Sequence, residues 1–346
     1  MLFKKFFLFL PLLGIISCAH QMPSNINLVE VHATAETTPV NSNGDAADDP
    51  AIWYNAANPI NSKIIGTQKK GGIYVYNLDG TIAQEIIGGK PNNADLRKDF
   101  SFTDGKDVIV GASDRIDNSI VLWRFIQKDA YLIPNPIARI KTDFTEVYGF
   151  CLGQIGDDFY AVATSKVGDI KAFKIKAGDS GIISEKVFEK SLGSIAEGCV
   201  IDDKTGHLYV SQELVGLWDI NLKDNSTNLV EKIGNGRLVA DVEGVSIWDD
   251  GKHRYLVVSV QGDSRFNIYD INQQHQYIGS FRVVASEKID GVTTTDGIDI
   301  SAHNFGPNYP EGLVVVQDDI NTMPDATQNF KLVSWREIKE KLGLKP

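Results

Sequence analysis

The chain has 346 residues, 42% hydrophobic and 23% charged, with 31 Gly, 12 Pro and 3 Cys. That length supports a large core, the hydrophobic content excludes a disordered chain, and so few cysteines exclude a disulfide-dense scaffold. A formal net charge of −11 argues against general nucleic-acid binding, because a phosphate backbone repels an acidic surface.

At the amino terminus, Lys4 and Lys5 precede an apolar run over residues 6–16 that ends in Ile15-Ile16-Ser17-Cys18. A basic end, an apolar centre and a small residue before the cut form a secretory signal. Cys18 directly after Ser17 is similar to a bacterial lipobox, so residues 1–17 read as a lipoprotein signal peptide and Cys18 as the lipidated new terminus. The alternative is an ordinary signal peptide with an incidental cysteine. Ala19 in place of Asp favours the outer membrane by analogy with other lipoproteins. Residues 18–26 then read as a polar tether and residues 27–346 as the folded domain. The expected location is across the inner membrane, anchored in the bacterial outer membrane only through lipid, or otherwise periplasmic or extracellular. Removing the leader deletes Lys4 and Lys5 and no acid, so the mature chain is two charges more negative.

Residues 28–32 alternate as a strand and are expected to join the last repeat and close a ring. Beyond them, a short apolar strand, a polar loop and a second alternating strand recur six times. The loops centre on Lys69-Lys70, Arg115, Lys166, Glu213, Gln261-Gly262-Asp263 and Gln317-Asp318-Asp319. Ahead of each repeat stands a polar residue, then a small or turn-forming one, then a short apolar strand. These landmarks are Asp49-Pro50, Asn93-Ala94, Tyr148-Gly149, Glu197-Gly198, Glu243-Gly244 and Asp296-Gly297, spaced 44 to 55 residues apart. Repeats of about 40 to 50 residues with several short strands each indicate β-propeller blades. Helical periodicity is confined to residues 335–342. The fold expected is all-β, a six-bladed propeller with a short C-terminal helix. Cys151 and Cys199 have apolar neighbours and read as buried packing residues rather than a redox pair.

In a propeller the innermost strand of each blade begins near one mouth, so Asp49, Asn93, Tyr148, Glu197, Glu243 and Asp296 should meet around the axis. Asp48, Asp241, Asp290 and Asp299 lie close to them in sequence. Converging carboxylates repel unless a cation sits among them, and oxygen ligands without thiolate or imidazole suit calcium above all. The second loops reach the same mouth and are sorted by charge. Blades one to three offer Lys69, Lys70, Arg115 and Lys166; blades four to six offer Glu213, Gln261, Asp263, Gln317, Asp318 and Asp319. Grouped cations on so acidic a chain indicate an anion site. A polyanion gripped by Lys and Arg on one side and by metal ions on the other fits both halves. The six His are scattered, and no H-E-x-x-H, G-x-S-x-G, complete P-loop or EF-hand loop occurs.

Several segments together resemble the β-propeller phytases. They are Asp48-Asp49-Pro50-Ala51-Ile52-Trp53, Lys69-Lys70-Gly71-Gly72, Glu146-Val147-Tyr148-Gly149-Phe150, Asp241-Val242-Glu243-Gly244, Thr295-Asp296-Gly297-Ile298-Asp299, and the run from Asn329 to Trp335. The resemblance covers about residues 36–335. It implies a calcium-dependent 3-phytase that binds several calcium ions and hydrolyses phosphomonoesters of myo-inositol hexakisphosphate and related inositol phosphates. By that resemblance Glu197, Asp241, Glu243, Gln261, Asp290 and Asp296 surround calcium at a cleavage site. Lys69, Arg115, Tyr148 and Lys166 hold phosphate. Asn92, Asn93, Glu213, Asp48 and Glu36 add calcium or phosphate contacts, and from their places in the repeat Lys70 is expected to bind substrate and Asp49 metal. Lys69, Arg115, Tyr148, Lys166, Glu197 and Glu243 form the expected catalytic set. Val167 and Gln212 stand where the family commonly carries an acid. A monomer is expected. The other readings are a calcium-dependent propeller lactonase or esterase, which leaves the basic cluster without a task, and a non-enzymatic surface binding propeller.

Overall fold

A computed structural model describes residues 26–179 and 181–344. The residues expected to form the signal peptide, Cys18 and the expected tether up to residue 25 lie outside the described residues. Among the described residues the strand order resolves into six four-stranded units. The first comprises Ala47–Trp53, Lys63–Gln68, Gly72–Asn77 and Ile82–Ile87. The second comprises Pro91–Phe102, Gly105–Asp114, Ser119–Ile126 and Ala138–Lys141. The third runs through Val147–Ile155, Asp158–Ser165, Asp169–Gly178 and Gly181–Ser191, and the fourth through Ala196–Ile201, His207–Gln212, Gly216–Asn221 and Thr227–Lys232. The fifth contains Val242–Asp249, Arg254–Val260, Arg265–Asp270 and Gln276–Val284. The sixth contains Ile298–Ser301, Leu313–Asp318 and Asn329–Ser334, and takes Leu28–Glu36 as its outer strand. The first strand of each unit packs against the first strand of the next, and the sixth returns to the first. This is the arrangement of a β-propeller.

Burial follows from that ring. Inner and second strands have a neighbouring blade on each face, so the inner strand Ala47–Trp53 and the second strand Leu313–Asp318 are buried along their whole length. Outer strands such as Gly181–Ser191 are mostly exposed. The apolar core is divided into six clusters among the described residues, one at each blade junction. Aromatic pairs fill the gaps where the blades splay outward, as with Trp53 and Phe125, whose ring centroids are 4.7 Å apart across the first junction. The helix Trp335–Leu342 buries Trp335 and Ile338 in the junction between the fifth and sixth blades.

The closing strand departs from expectation in its register. Residues 28–32 pair in parallel with Ser280 to Val284 of the fifth blade, and only Ala33, Ala35 and Glu36 pair with the sixth. One strand thus bridges two blades, with a register shift between Ala33 and Ala35 where it changes partner. Cys151 and Cys199 are buried in the core as expected, but the expectation that they do not pair is overturned, since they are joined in a disulfide. They are 48 residues apart, one repeat, so they fall on neighbouring inner strands with Cα atoms 5.7 Å apart.

Neighbouring inner strands approach too closely for a side chain at certain points. A Cβ on Gly149 would lie 1.9 Å from the Glu197 carbonyl oxygen and 2.6 Å from Thr164 Oγ1. Since the first obstacle is backbone, Gly149→Ala is expected to cost about 3 kcal/mol or more of stability, measurable by chemical denaturation. A near-neutral result would show that the inner strands can slide apart.

Candidate active site

The second strand of each blade runs antiparallel to the first, which brings the loop after it back to the start of the inner strand. These ends enclose a cavity of about 280 Å³, lined by Asp45, Lys69, Tyr148, Glu213, Asp241, Glu243, Gln261, Thr294, Asp296, Asp319 and Gln328. The two halves of the repeat therefore do share one mouth. Asp45, Thr294 and Gln328 were not singled out from the sequence. They lie outside the repeated pattern, so only their proximity to Lys69, Asp296 and Asp319 reveals them.

The first five inner strands each carry an extra residue opposite a shorter stretch of their partner, a β-bulge, spanning residues 48–49, 92–93, 148–149, 197–198 and 243–244. The first residue of each pair faces the small cavity or its carboxylate cluster. In blades one and two the landmarks are consequently one residue late, and Asp48 and Asn92, not Asp49 and Asn93, are the equivalents of Tyr148, Glu197 and Glu243. Asp49 and Asn93 instead line a larger cavity of about 820 Å³ together with Asp95 and Asp299. Asp49 accepts the Ala94 N–H there at 3.1 Å. The X-Gly pattern of the other blades is replaced in these two by Asp-Asp and Asn-Asn, which hid the register.

The carboxylates of Glu197, Glu213 and Glu243 each offer an oxygen, all within 4.8 Å of one another. Burial, reinforced by Asp48, pushes Glu197 up to about 7, and burial with Asp241 pushes Glu213 up to about 7. Burial and the Glu197 charge raise Glu243 well above its ordinary value. Glu243 Oε2 is buried without a hydrogen-bond partner. An orphaned anionic oxygen among crowded carboxylates fits a hard divalent cation. Asn92 Nδ2 donates to Glu197 Oε1 at 2.5 Å and to Asp48 Oδ2 at 3.0 Å, and so orients both acids. Asp241 borders the same cavity, and its carbonyl accepts the Gln261 N–H at 3.0 Å.

Lys69 enters this cluster as a counter-ion. Its Nζ lies 2.5 Å from Asp45, 2.8 Å from Asp48 and 3.1 Å from Asp296. Burial alone would lower its pKa, but Asp48, Asp296 and Glu197 hold it well above the ordinary lysine value. Asp296 also accepts from Gln261 Nε2, and its own N–H bonds Gln317 Oε1 at 2.8 Å. Tyr148 is pushed up strongly by burial and by Glu197, so it stays a neutral phenol. Lys166 sits 4.9 Å from the Tyr148 ring centroid and 2.9 Å from Glu146. Arg115 follows the strand whose end, Asp114, pairs with Pro91 beside Asn92, and its side chain has no hydrogen bond or ion pair among the described residues. Lys70 is exposed and turned onto the Asn43 carbonyl at 2.5 Å, away from the acids.

Glu36 and Asp290 are not brought to this cluster. Both contact the buried ammonium of Lys331. Val167 is exposed, and Gln212 is buried and bonded to Ser194 and Trp218, so neither acts as an acid would.

The phytase family model matches residues 5–346 of this chain. The 3-phytase of Bacillus subtilis (strain 168) is 39% identical over 331 residues, covering 92% of this chain and 86% of that protein. A structural-genomics protein of unknown function from Bacteroides thetaiotaomicron superposes with a TM-score of 0.54 at 12% identity, over 89% of this chain and 74% of that one. The chain belongs to the phytase family.

The raised carboxylates set a pH dependence. Glu197 and Glu213 titrate near 7 in the folded chain, against about 4.3 for an ordinary glutamate. Between those values the folded state binds more protons, so these groups favour folding at low pH and oppose it as pH rises through 7. In chelator, Tm should therefore fall between about pH 5.5 and about pH 8. Glu213→Gln should flatten that decline, as scanning calorimetry would show. An unchanged slope would mean that Glu213 is not a strained carboxylate.

Proposed function

We propose that this member of the phytase family hydrolyses phosphomonoesters of myo-inositol hexakisphosphate and related inositol phosphates at the small cavity, with calcium held by Glu197, Glu213, Glu243 and Asp241. The observation that carries the reading is the trio of glutamate oxygens within 4.8 Å of one another, with one oxygen orphaned, in a cavity edged by Tyr148 with Lys166 over its ring. Calcium bound there supplies the positive charge that draws phosphate into an acidic mouth and makes water a better nucleophile.

The chain's own residues divide the remaining work. Asn92 and Lys69 fix the orientation of Asp48, Glu197 and Asp296, so the acids do not have to reorganise when substrate arrives. Arg115 has a free guanidinium and is the strongest donor available to phosphoryl oxygens. Lys166 is tied only to a surface glutamate and an aromatic face, so it can turn toward phosphate at small cost. Water attacks phosphorus in line, the bond from phosphorus to the inositol oxygen breaks, and the proton that the water gives up ends on the leaving oxygen as a hydroxyl. A second phosphate, anchored by the basic loops, would orient the reacting one and so speed the chemical step. The reading extends to a lipid-anchored monomer in the outer membrane. The disulfide between Cys151 and Cys199 supports an oxidising compartment.

Phosphate release from phytate, assayed with calcium and then with chelator, tests the function directly. Calcium should activate and chelator should abolish release; equal release in both would remove calcium from the reaction. In the same assay Arg115→Ala should lower kcat/KM about 100-fold while calcium still raises Tm. Full activity in that variant would move the phosphate site elsewhere.

The two-phosphate arrangement predicts a substrate order. At fixed calcium, kcat/KM should be much higher for phytate and for an inositol bisphosphate with adjacent groups than for a simple phosphomonoester. Equal values for all three would exclude an anchoring site.

A further inference from the structure

Glu36, Asp290 and Asp318 converge on one side chain. Lys331 Nζ donates to Glu36 Oε2, to Asp290 Oδ1 at 2.5 Å and to Asn321 Oδ1 at 2.8 Å, and lies 3.3 Å from Asp318 Oδ2. An ammonium has three donors, and here all three are used. Lys331 and Asp318 are fully buried. Neutral groups add further donors to these acids, on the second oxygen of Asp290 and of Asp318 and on the same oxygen of Glu36. Thr322 N–H and Oγ1 bond Asp290 Oδ2, Thr293 N–H bonds Asp318 Oδ1 at 2.9 Å, and Asn329 Nδ2 bonds Glu36 at 3.0 Å. Neutralisation comes from the chain itself: the Lys331 ammonium is ion-paired with all three acids, whereas among the described residues no lysine or arginine forms an ion pair with Glu197, Glu213 or Glu243.

We infer that Lys331 is a built-in cation occupying what its oxygen surroundings make a divalent-metal cage, so that this chain closes its ring without metal there. Three carboxylates and an amide oxygen around one point are a hard-cation donor set. A metal cannot enter while an ammonium fills the centre, since the two would repel at contact distance. Position gives the substitution a consequence. Glu36 ends the closing strand and pairs directly with Lys331 in register. Asp290 lies in the segment between the fifth and sixth blades that continues to Thr294 and Asp296 at the small cavity. The clasp thus fastens the closing strand to the segment beside the acidic cluster, and chelation empties that cluster without releasing the strand.

The inference uses the calcium reading of the glutamate trio as its contrast, and counting ions separates the two. Equilibrium dialysis with radioactive calcium would compare the full chain, Asp290→Asn and Lys331→Met. Asp290→Asn should bind as many ions as the unaltered chain. Lys331→Met should bind one more, and calcium should raise its Tm by more than it raises that of the unaltered chain. Fewer ions on Asp290→Asn, or no additional ion on Lys331→Met, would overturn the inference. Should Lys331→Met fail to fold, the Asp290→Asn count decides alone. An unaltered chain that binds no calcium would instead sink the reading of the trio, and the gain on Lys331→Met would still decide the clasp.

Discussion

Crowding of carboxylates around a narrow axis is the constraint on which the rest of this structure depends. Six inner strands converge, and most of them bring an acid to the end where the strands are closest. Like charges in a desolvated space must be protonated, paired or bonded to donors. Three solutions operate in different sectors. Asp49, Asp95 and Asp299 accept backbone N–H groups of Ala94, Leu152 and Ile52 on the neighbouring inner strand, which makes each acid a staple between blades. Lys69 and Lys331 each neutralise a group of acids from within. Around Glu197, Glu213 and Glu243 no lysine or arginine forms an ion pair among the described residues, and this is where the proposed calcium would sit.

The same geometry explains why the site has these residues at these positions. A bulge inserts one residue into an inner strand, so two consecutive side chains are redirected at the point where the blades meet. The first reaches the mouth. The second is pressed against the neighbouring backbone, which is why it is Gly149, Gly198 and Gly244 in blades three to five. In blades one and two the second residue is Asp49 or Asn93, which finds room in the larger cavity instead. Site and staple thus arise from one local feature, and loss of the close approach would disturb both.

Ring closure is distributed over several contacts. The first strand is shared between the fifth and sixth blades, and the terminal helix covers the same junction through Trp335 and Ile338. Elsewhere on the ring, the disulfide ties the third and fourth blades. A closed ring has no free inner edge, so a mouth full of repelling charges is held by contacts on all sides.

The sequence by itself determined the repeat, the all-β class, the helix over residues 335–342, and the sharing of one mouth by inner-strand starts and second loops. These are period-based properties, and strand alternation with fifty-residue spacing is written directly in the chain. It also identified Glu197, Glu213, Asp241, Glu243, Gln261 and Asp296 near one another, because the repeat places equivalent positions around one axis. Tertiary structure alone decided the rest. It moved the mouth-facing positions of the first two blades to Asp48 and Asn92, since a one-residue bulge leaves no mark on composition. It joined Cys151 to Cys199, because only adjacent inner strands bring residues one repeat apart within bonding distance. It gave Glu36 and Asp290 to Lys331 and Lys69 to Asp48 and Asp296, since whether an acid meets a metal or an ammonium depends on which distant side chain reaches it in space.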